Sequence, residues 1–129
     1  MSTAPSVSLS RIGQIGVVVH DIPRATAFYR YVLGIPFLFD APNLAFFQCG
    51  EVRLMLTLPS APELDHPASP IYYRVDDIHA AYDGLRERGV TFEREPQAAH
   101  RTDRFELWLA FFRDPDGNLL ALMSEAPVG

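Results

Sequence analysis

The chain has 129 residues, a formal net charge of −5 and a single cysteine. That length suits one domain, and 48% hydrophobic residues are enough to form a core without disulfides or a structural metal. One cysteine excludes a disulfide scaffold and cysteine-rich zinc sites. The acidic balance gives no electrostatic basis for nucleic-acid binding, and no apolar run approaches the roughly 20 residues that cross a bilayer.

The N-terminal segment, residues 1 to about 9, is rich in Ser, Thr, Ala and Pro and predicts a loose leader. It has neither the basic start nor the apolar stretch that is typical of a signal peptide. We therefore expect a cytoplasmic protein.

The first half of the chain predicts one strand, one helix and three more strands. The β-branched run from Ile15 to Val19 is typical of a buried strand. Asp21 is a good N-cap, and apolar residues at helical spacing follow it as far as Leu33, where Gly34 is expected to end the helix. Three short strands are predicted after it, over residues 37–40, 44–49 and 52–58.

The second half repeats this order. The segment 19–25 lies 56 positions before the similar segment 75–81, and the predicted elements recur in sequence. They are a strand over 71–75, a helix capped by Asp76-Asp77 and ended by Gly89, and strands over 90–93, 107–113 and 118–124. Turn residues 114–117 are typical of a tight hairpin between the last two strands.

The repeat predicts an α+β fold of two tandem βαβββ modules within a single domain, residues 1–129. Module 1 is residues 10–58, the proline-rich linker is residues 59–70, and module 2 is residues 71–125. One half alone is too small to close a core, so the halves are expected to form a curved mixed sheet around a central concavity. The pattern leaves open whether the halves pair within one chain or between two.

Four segments give the chain a resemblance to a known family. They are Val17–Asp21, Ala27–Gly34, Val75–Ile78 and Phe112–Asn118. Together they resemble the vicinal oxygen chelate superfamily, which includes glyoxalase I, bleomycin-resistance proteins and extradiol dioxygenases. The resemblance covers residues 12–124 and implies the two-module fold. It does not imply one activity, because this scaffold carries unrelated chemistries.

The resemblance also implies four metal-ligand positions, which correspond to Gln14, to Met55 or an immediate neighbour, to Pro70 and to Ala121. The last three of these residues are not donors for a hard divalent cation, and one carboxamide is a weak ligand. We therefore expect no metal and no other cofactor, unless non-standard ligands hold a divalent ion. Val18 stands where glyoxalase I is expected to hold the glutathione carboxylate with an arginine, which argues against a lactoylglutathione lyase.

Strand alternation predicts which side chains line the concavity. The lining is mostly apolar with two arginines and one amide, which suits a small organic ligand that carries an anionic or carbonyl group. The arginines are equally compatible with local ion pairs, and His20 with a role in its turn. The predicted binding residues are Gln14, Val18, His20, Arg53, Met55, Tyr72, Arg74, Leu109, Phe111, Ala121 and Met123.

A polar segment, residues 100–106, lies between apolar runs and is the candidate for chemistry. His100 and Glu106 are the predicted catalytic residues, because a histidine and a carboxylate near a pocket rim provide a general base. The segment also fits a solvated hairpin, and that interpretation is favoured.

Three hypotheses follow. The leading one is a small-molecule-binding protein without the metal. The second is an enzyme, a lyase, isomerase or dioxygenase, whose relocated metal ligands are Gln14, His20, His100 and Glu106. The third is a non-catalytic interaction module. In each case we expect a homodimer, because the sheet edges of each half need covering.

Overall fold

The computed structural model describes residues 7–128, so residues 1–6 of the predicted leader lie outside the described part. Within it, none of the helices has the length and apolar character needed to span a membrane. The predicted two-module architecture is confirmed, since each module builds its own four-stranded mixed sheet.

Module 1 begins with a strand, a short helix and a three-stranded antiparallel meander. Strand β1 runs parallel to β4, so the sheet order is β1-β4-β3-β2. The Asp21 side chain accepts a hydrogen bond from the Arg24 N–H at 3.0 Å and caps the helix as predicted. The elements are β1 (Gln14–Val18), α1 (Ile22–Ala27), β2 (Phe37–Ala41), β3 (Leu44–Cys49) and β4 (Val52–Thr57).

The helix of module 1 changes character after α1. Residues Phe28–Val32 form a π-helical turn, in which the Leu33 N–H donates to the Phe28 carbonyl five residues earlier at 3.0 Å. Gly34 then adopts a φ of 74°, a conformation that favours glycine, and ends the helix where predicted. The wide turn contains Tyr29, which has no solvent exposure and reaches module 2.

Module 2 repeats the arrangement with sheet order β5-β8-β7-β6. A single 3₁₀ turn, Pro62–Leu64, lies in the linker between β4 and β5. Gly117, with a φ of 83°, closes the predicted hairpin between the last two strands. The elements are β5 (Ile71–Arg74), α2 (Ile78–Glu87), β6 (Gln97–Arg101), β7 (Phe105–Arg113) and β8 (Leu119–Pro127).

One predicted strand is wrong. Residues 90–93 form no strand, and Phe92 makes only an isolated bridge to Phe112. The second strand of module 2 in chain order is instead β6, whose last residues overlap the polar segment 100–106. Val90 and Phe92, the two apolar residues of this segment, anchor the chain in the core, where Val90 is buried. Strand β6 is exposed throughout and lies at the sheet edge, so it has no apolar alternation that would reveal it.

Each sheet has two faces, and one face of both sheets contributes to a shared core. This back face carries Val17, Phe47 and Leu54 in module 1 and Phe112 and Leu120 in module 2. Helices α1 and α2 pack into the same cluster, in which buried apolar area provides most of the stabilisation. The opposite face of each sheet, the front face, therefore lies on the outside of this core.

Candidate functional site

The front face of module 1 combines an arginine, two amides and apolar side chains. Strand register aligns Gln14 with Arg53 and Gly16 with Met55, so predicted binding residues share this face. Strand β3 adds two residues that the sequence analysis did not select, Phe46 opposite Met55 and Gln48 opposite Arg53. In full, the front face of module 1 comprises Gln14, Gly16, Val18, Phe39, Ala41, Leu44, Phe46, Gln48, Arg53, Met55 and Thr57.

Arg53 is held on this face, near the start of β4, by two neighbours. Its Nε donates to Gln14 Oε1 at 2.8 Å, and its guanidinium carbon lies 5.0 Å from the centroid of the Phe46 ring. Gln14 in turn directs its Nε2 at the Met55 sulfur, 3.6 Å away. Within residues 7–128, no carboxylate pairs with Arg53. Its terminal nitrogens therefore remain available as donors.

The front face of module 2 is aromatic and aliphatic. The rings of Tyr72 and Phe111 meet edge to face, with centroids 6.0 Å apart, above the buried Ala121. Arg74 differs from Arg53, because its Nη2 donates to Glu125 Oε1 at 2.6 Å. Arg113, opposite Leu119, likewise donates from its Nε to Glu93 Oε1 at 3.2 Å. The face comprises Tyr72, Arg74, Gln97, His100, Phe105, Leu107, Leu109, Phe111, Arg113, Leu119, Ala121, Met123, Glu125 and Pro127.

The structure does not bring the two predicted catalytic residues together. His100 pairs with Leu107 across β6 and β7, which directs it to the front face at the exposed edge. Glu106 is the neighbour of Leu107 on β7 and so points to the back face. There its carboxylate accepts a hydrogen bond from Trp108 Nε1 at 2.9 Å. A catalytic role for either residue stays a prediction, and their separation favours the solvated hairpin.

The residues at the implied metal positions do not fit a divalent cation. Gln14 is the one oxygen donor among them, and its Oε1 already accepts from the Arg53 cation. A positive charge at 2.8 Å disfavours a second cation on the same oxygen. The proposed relocated ligands are also dispersed, and in the part of the chain that the structure describes no group of three or more His, Cys, Asp or Glu residues is arranged to hold a metal ion. We derive no metal-dependent step.

His20 belongs to a polar cluster just past the end of β1. Its Nε2 lies 2.7 Å from Asp65 Oδ1 in the linker, and its Nδ1 lies 3.2 Å from Asp116 Oδ1 in module 2. Arg24 and His66 lie around the same cluster, whose cavity has a volume of about 130 Å³. Hydrogen bonding to Asp65, and then to Asp116, raises the pKa of His20 above its ordinary value. His20 thus links both modules to the linker.

This cluster predicts a pH-dependent stability. A raised pKa in the folded state means that the stabilisation is complete below the unfolded pKa of about 6.5 and is lost as the pH rises through the folded value. Replacing His20 by Gln should therefore lower the melting temperature more at about pH 5.5 than at about pH 9. Thermal unfolding of both proteins at the two pH values measures the difference. In an Asp65→Asn background most of it should disappear, and an equal loss at both pH values would contradict the assignment.

A separate cavity of about 410 Å³ lies on the helix side of module 2. It is bounded by α2 and by the residues that follow the π-helical turn, with Leu33, Ile35, Gly84 and Arg88 in its wall. Tyr73 also lines it, and burial raises the pKa of this phenol above its ordinary value. Of the predicted binding residues, Arg74 contributes to the lining of this cavity, and none of those on the module 1 front face does.

Comparison with known proteins agrees with this architecture. The uncharacterized protein YraH of Bacillus subtilis (strain 168) is 30% identical over 123 residues, which cover 84% of this chain and 94% of YraH. The solved structure of a superfamily member from Sphaerobacter thermophilus DSM 20745 has a TM-score of 0.75 at 30% identity, covering 91% of this chain and 98% of that chain.

Lactoylglutathione lyase from Agrobacterium tumefaciens matches with a TM-score of 0.74 over 91% of this chain and 95% of that chain. Its identity is only 22%, so the likeness concerns the fold alone. The sequence model of one family matches residues 11–122, nearly the whole described chain. This chain belongs to the Glyoxalase/Bleomycin resistance protein/Dioxygenase superfamily.

Proposed function

We propose that this protein is a homodimer that binds a small organic molecule, without a divalent metal, between two front faces. The observation that carries the proposal is the pair of apolar front faces outside the shared core. Tyr72 on module 2 is 47% exposed, and Phe39 on module 1 is 52% exposed. Exposed aromatic faces of this kind mark binding surfaces more often than they remain uncovered.

The position of the front faces favours a site between copies. The back faces of both sheets are used in one core, so the front faces of a single chain are turned away from each other. A second copy can present its module 2 front face to the module 1 front face of the first. Two-fold symmetry then creates two equal sites per dimer. Each site has apolar walls with few polar groups, as is usual for pockets that bind small molecules.

The chemistry of the face favours binding over metal-dependent catalysis. The polar groups of module 1 are an arginine and two amides, which orient a ligand by hydrogen bonds. The four residues considered as relocated metal ligands do not converge, as described above.

A dimer with two such sites should show twice the 14.5 kDa chain mass by light scattering.

The neutral fluorescent probe N-phenyl-1-naphthylamine tests the site. A Cβ at Gly16 would lie 3.5 Å from the Met55 methyl carbon, an ordinary contact, so Gly16→Leu should project into the module 1 front face without strain. We expect the affinity for the probe to fall about tenfold or more, because the side chain fills the space the probe needs.

Gly84→Leu is the matched control, because Gly84 lies on α2 in the wall of the helix-side cavity and has no atom near its Cβ position. Its probe affinity should stay within about twofold of the parent. If Gly84→Leu removes probe binding and Gly16→Leu does not, the probe occupies the helix-side cavity and the proposed site is wrong. A chain that remains a monomer at working concentration also contradicts the proposal.

A further inference from the structure

We infer that Arg53 is the anchor for the ligand, and that the ligand is an organic oxyanion with a flat apolar body. This inference rests on the proposed function, because it concerns the same front face. The observation behind it is that Arg74 and Arg113 on the module 2 front face each pair with a carboxylate, whereas Arg53 does not within the described residues.

Arg53 carries a positive charge that no neighbouring carboxylate among the described residues compensates. Arg74 is neutralised by Glu125 at 2.6 Å, whereas among residues 7–128 Arg53 has no carboxylate partner. A ligand anion that approaches Arg74 must compete with an ion pair already formed. An anion at Arg53 meets a guanidinium whose positive charge is not compensated, so the electrostatic gain is larger there.

The Arg53 side chain is held in one orientation by two contacts. The Nε of Arg53 is committed to Gln14 Oε1, and the guanidinium carbon lies over the Phe46 ring. These two contacts restrict the side chain and leave the paired donors on its terminal nitrogens for an incoming group. A planar fork of this kind matches two oxygens of a carboxylate or sulfonate. Because the arginine is already oriented, less conformational freedom is lost on binding.

Aromatic and thioether side chains lie around Arg53 and on the opposing front face. The rings of Phe39 and Phe46 lie beside the arginine, tilted by 42° with centroids 4.8 Å apart, and Met55 lies next to Gln14. On the other front face, the Tyr72 and Phe111 pair provides a second aromatic wall. Aromatic and thioether side chains favour a flat apolar body over a compact inorganic ion. The anionic group and the flat body thus have separate places on the site.

Two dyes with the same aromatic body test the inference in the intact protein. 8-Anilinonaphthalene-1-sulfonate carries a sulfonate, and N-phenyl-1-naphthylamine is neutral. We expect Arg53→Gln to lower the affinity for the sulfonate dye about tenfold and to leave the affinity for the neutral dye within about twofold. Arg53→Lys should retain more of the sulfonate affinity than Arg53→Gln, because the charge remains while the fork is lost.

Arg104→Gln is the matched control, because Arg104 is exposed in the turn between β6 and β7 and its loss changes the net charge equally. Its affinity for both dyes should equal that of the parent. If both dyes bind and Arg53→Gln affects neither, the inference fails and the proposed function stands. If neither dye binds the parent protein, the proposed function itself fails.

Discussion

Replacing Asp114 by Ala should lower the free energy of unfolding by about 3–5 kcal/mol. The Asp114 side chain is buried, and its two oxygens accept four hydrogen bonds. Oδ2 accepts from the Tyr29 hydroxyl at 2.7 Å and from Asn118 Nδ2 at 2.9 Å, and Oδ1 accepts from the Asp116 and Asn118 backbone N–H groups, each at 2.9 Å. The substitution leaves these donors buried without an acceptor.

Asp114 and its hydrogen-bond partners connect the two modules, so the loss of Asp114 should affect the stability of the whole chain. Asn118 also donates to the Val18 carbonyl in module 1 and accepts from the Ala68 N–H in the linker. Burial, and then the charge of Asp114, raise the pKa of Tyr29 above its ordinary value, so the phenol remains a donor at any working pH.

Denaturant unfolding at fixed protein concentration measures this effect, because the proposed dimer would make the stability depend on concentration. Asp103→Ala, in the exposed turn after β6, should change the free energy of unfolding by less than about 0.5 kcal/mol. Tyr29→Phe should fall between the two variants, at about 1.5–3 kcal/mol, because one hydrogen bond to the carboxylate is lost. Equal stability of Asp114→Ala and Asp103→Ala would contradict the role of Asp114 as the joint between modules.

Phe112→Ala should destabilise the fold by about 3–5 kcal/mol, because a fully buried ring is replaced by a cavity. Its neighbour Phe111 lies on the opposite face of β7, where it is half buried against Tyr72. Phe111→Ala should therefore cost less stability, about 1–2 kcal/mol, and instead weaken binding of N-phenyl-1-naphthylamine.

The variants Phe112→Ala and Phe111→Ala test the two faces of β7 separately. Phe112→Ala should lose mainly unfolding free energy, and Phe111→Ala should lose mainly affinity for the probe. If Phe111→Ala costs as much stability as Phe112→Ala and leaves probe affinity unchanged, the assignment of front and back faces of β7 is wrong.

Much of the fold could be predicted because local signals agree with it. The internal repeat, the Asp21 and Asp77 caps and the glycines at Gly34 and Gly117 each indicate an element boundary that the structure confirms. Strand β6 was missed because an exposed edge strand has no apolar alternation. The π-helical turn was missed because the hydrophobic spacing of a helix does not distinguish it from α-helix over one turn.

The candidate site was predictable only in part. Alternation along β1 and β4 correctly places Gln14, Arg53 and Met55 on one face. The same rule applied to β3 would have found Phe46 and Gln48. By contrast, the pairing of Arg74 with Glu125 depends on the register between β5 and β8, which one sequence does not reveal.

The contacts of His20 could not be predicted from the sequence. Its partners, Asp65 and Asp116, are separated from it by 45 and 96 residues, and no short-range pattern connects them. The same applies to the orientation of the two front faces, which depends on how the back faces pack into one core. Long-range packing of this kind is a property of the folded chain and not of local spacing.

The most direct test of a site between copies is a mixed dimer of two variants that do not bind the probe. Gly16→Phe blocks the module 1 front face, and Tyr72→Glu places a charge on the apolar module 2 front face. In a mixed dimer, one site carries both changes and the other carries neither, because each site takes one module from each copy.

The two variants are unfolded together, refolded at equal amounts and titrated with N-phenyl-1-naphthylamine. Random pairing makes about half of the dimers mixed, and each mixed dimer restores one site of two, so about a quarter of the parent's sites should return with parental affinity. If the mixture binds no more probe than either variant alone, although it is dimeric, the site does not lie between the front faces of two copies.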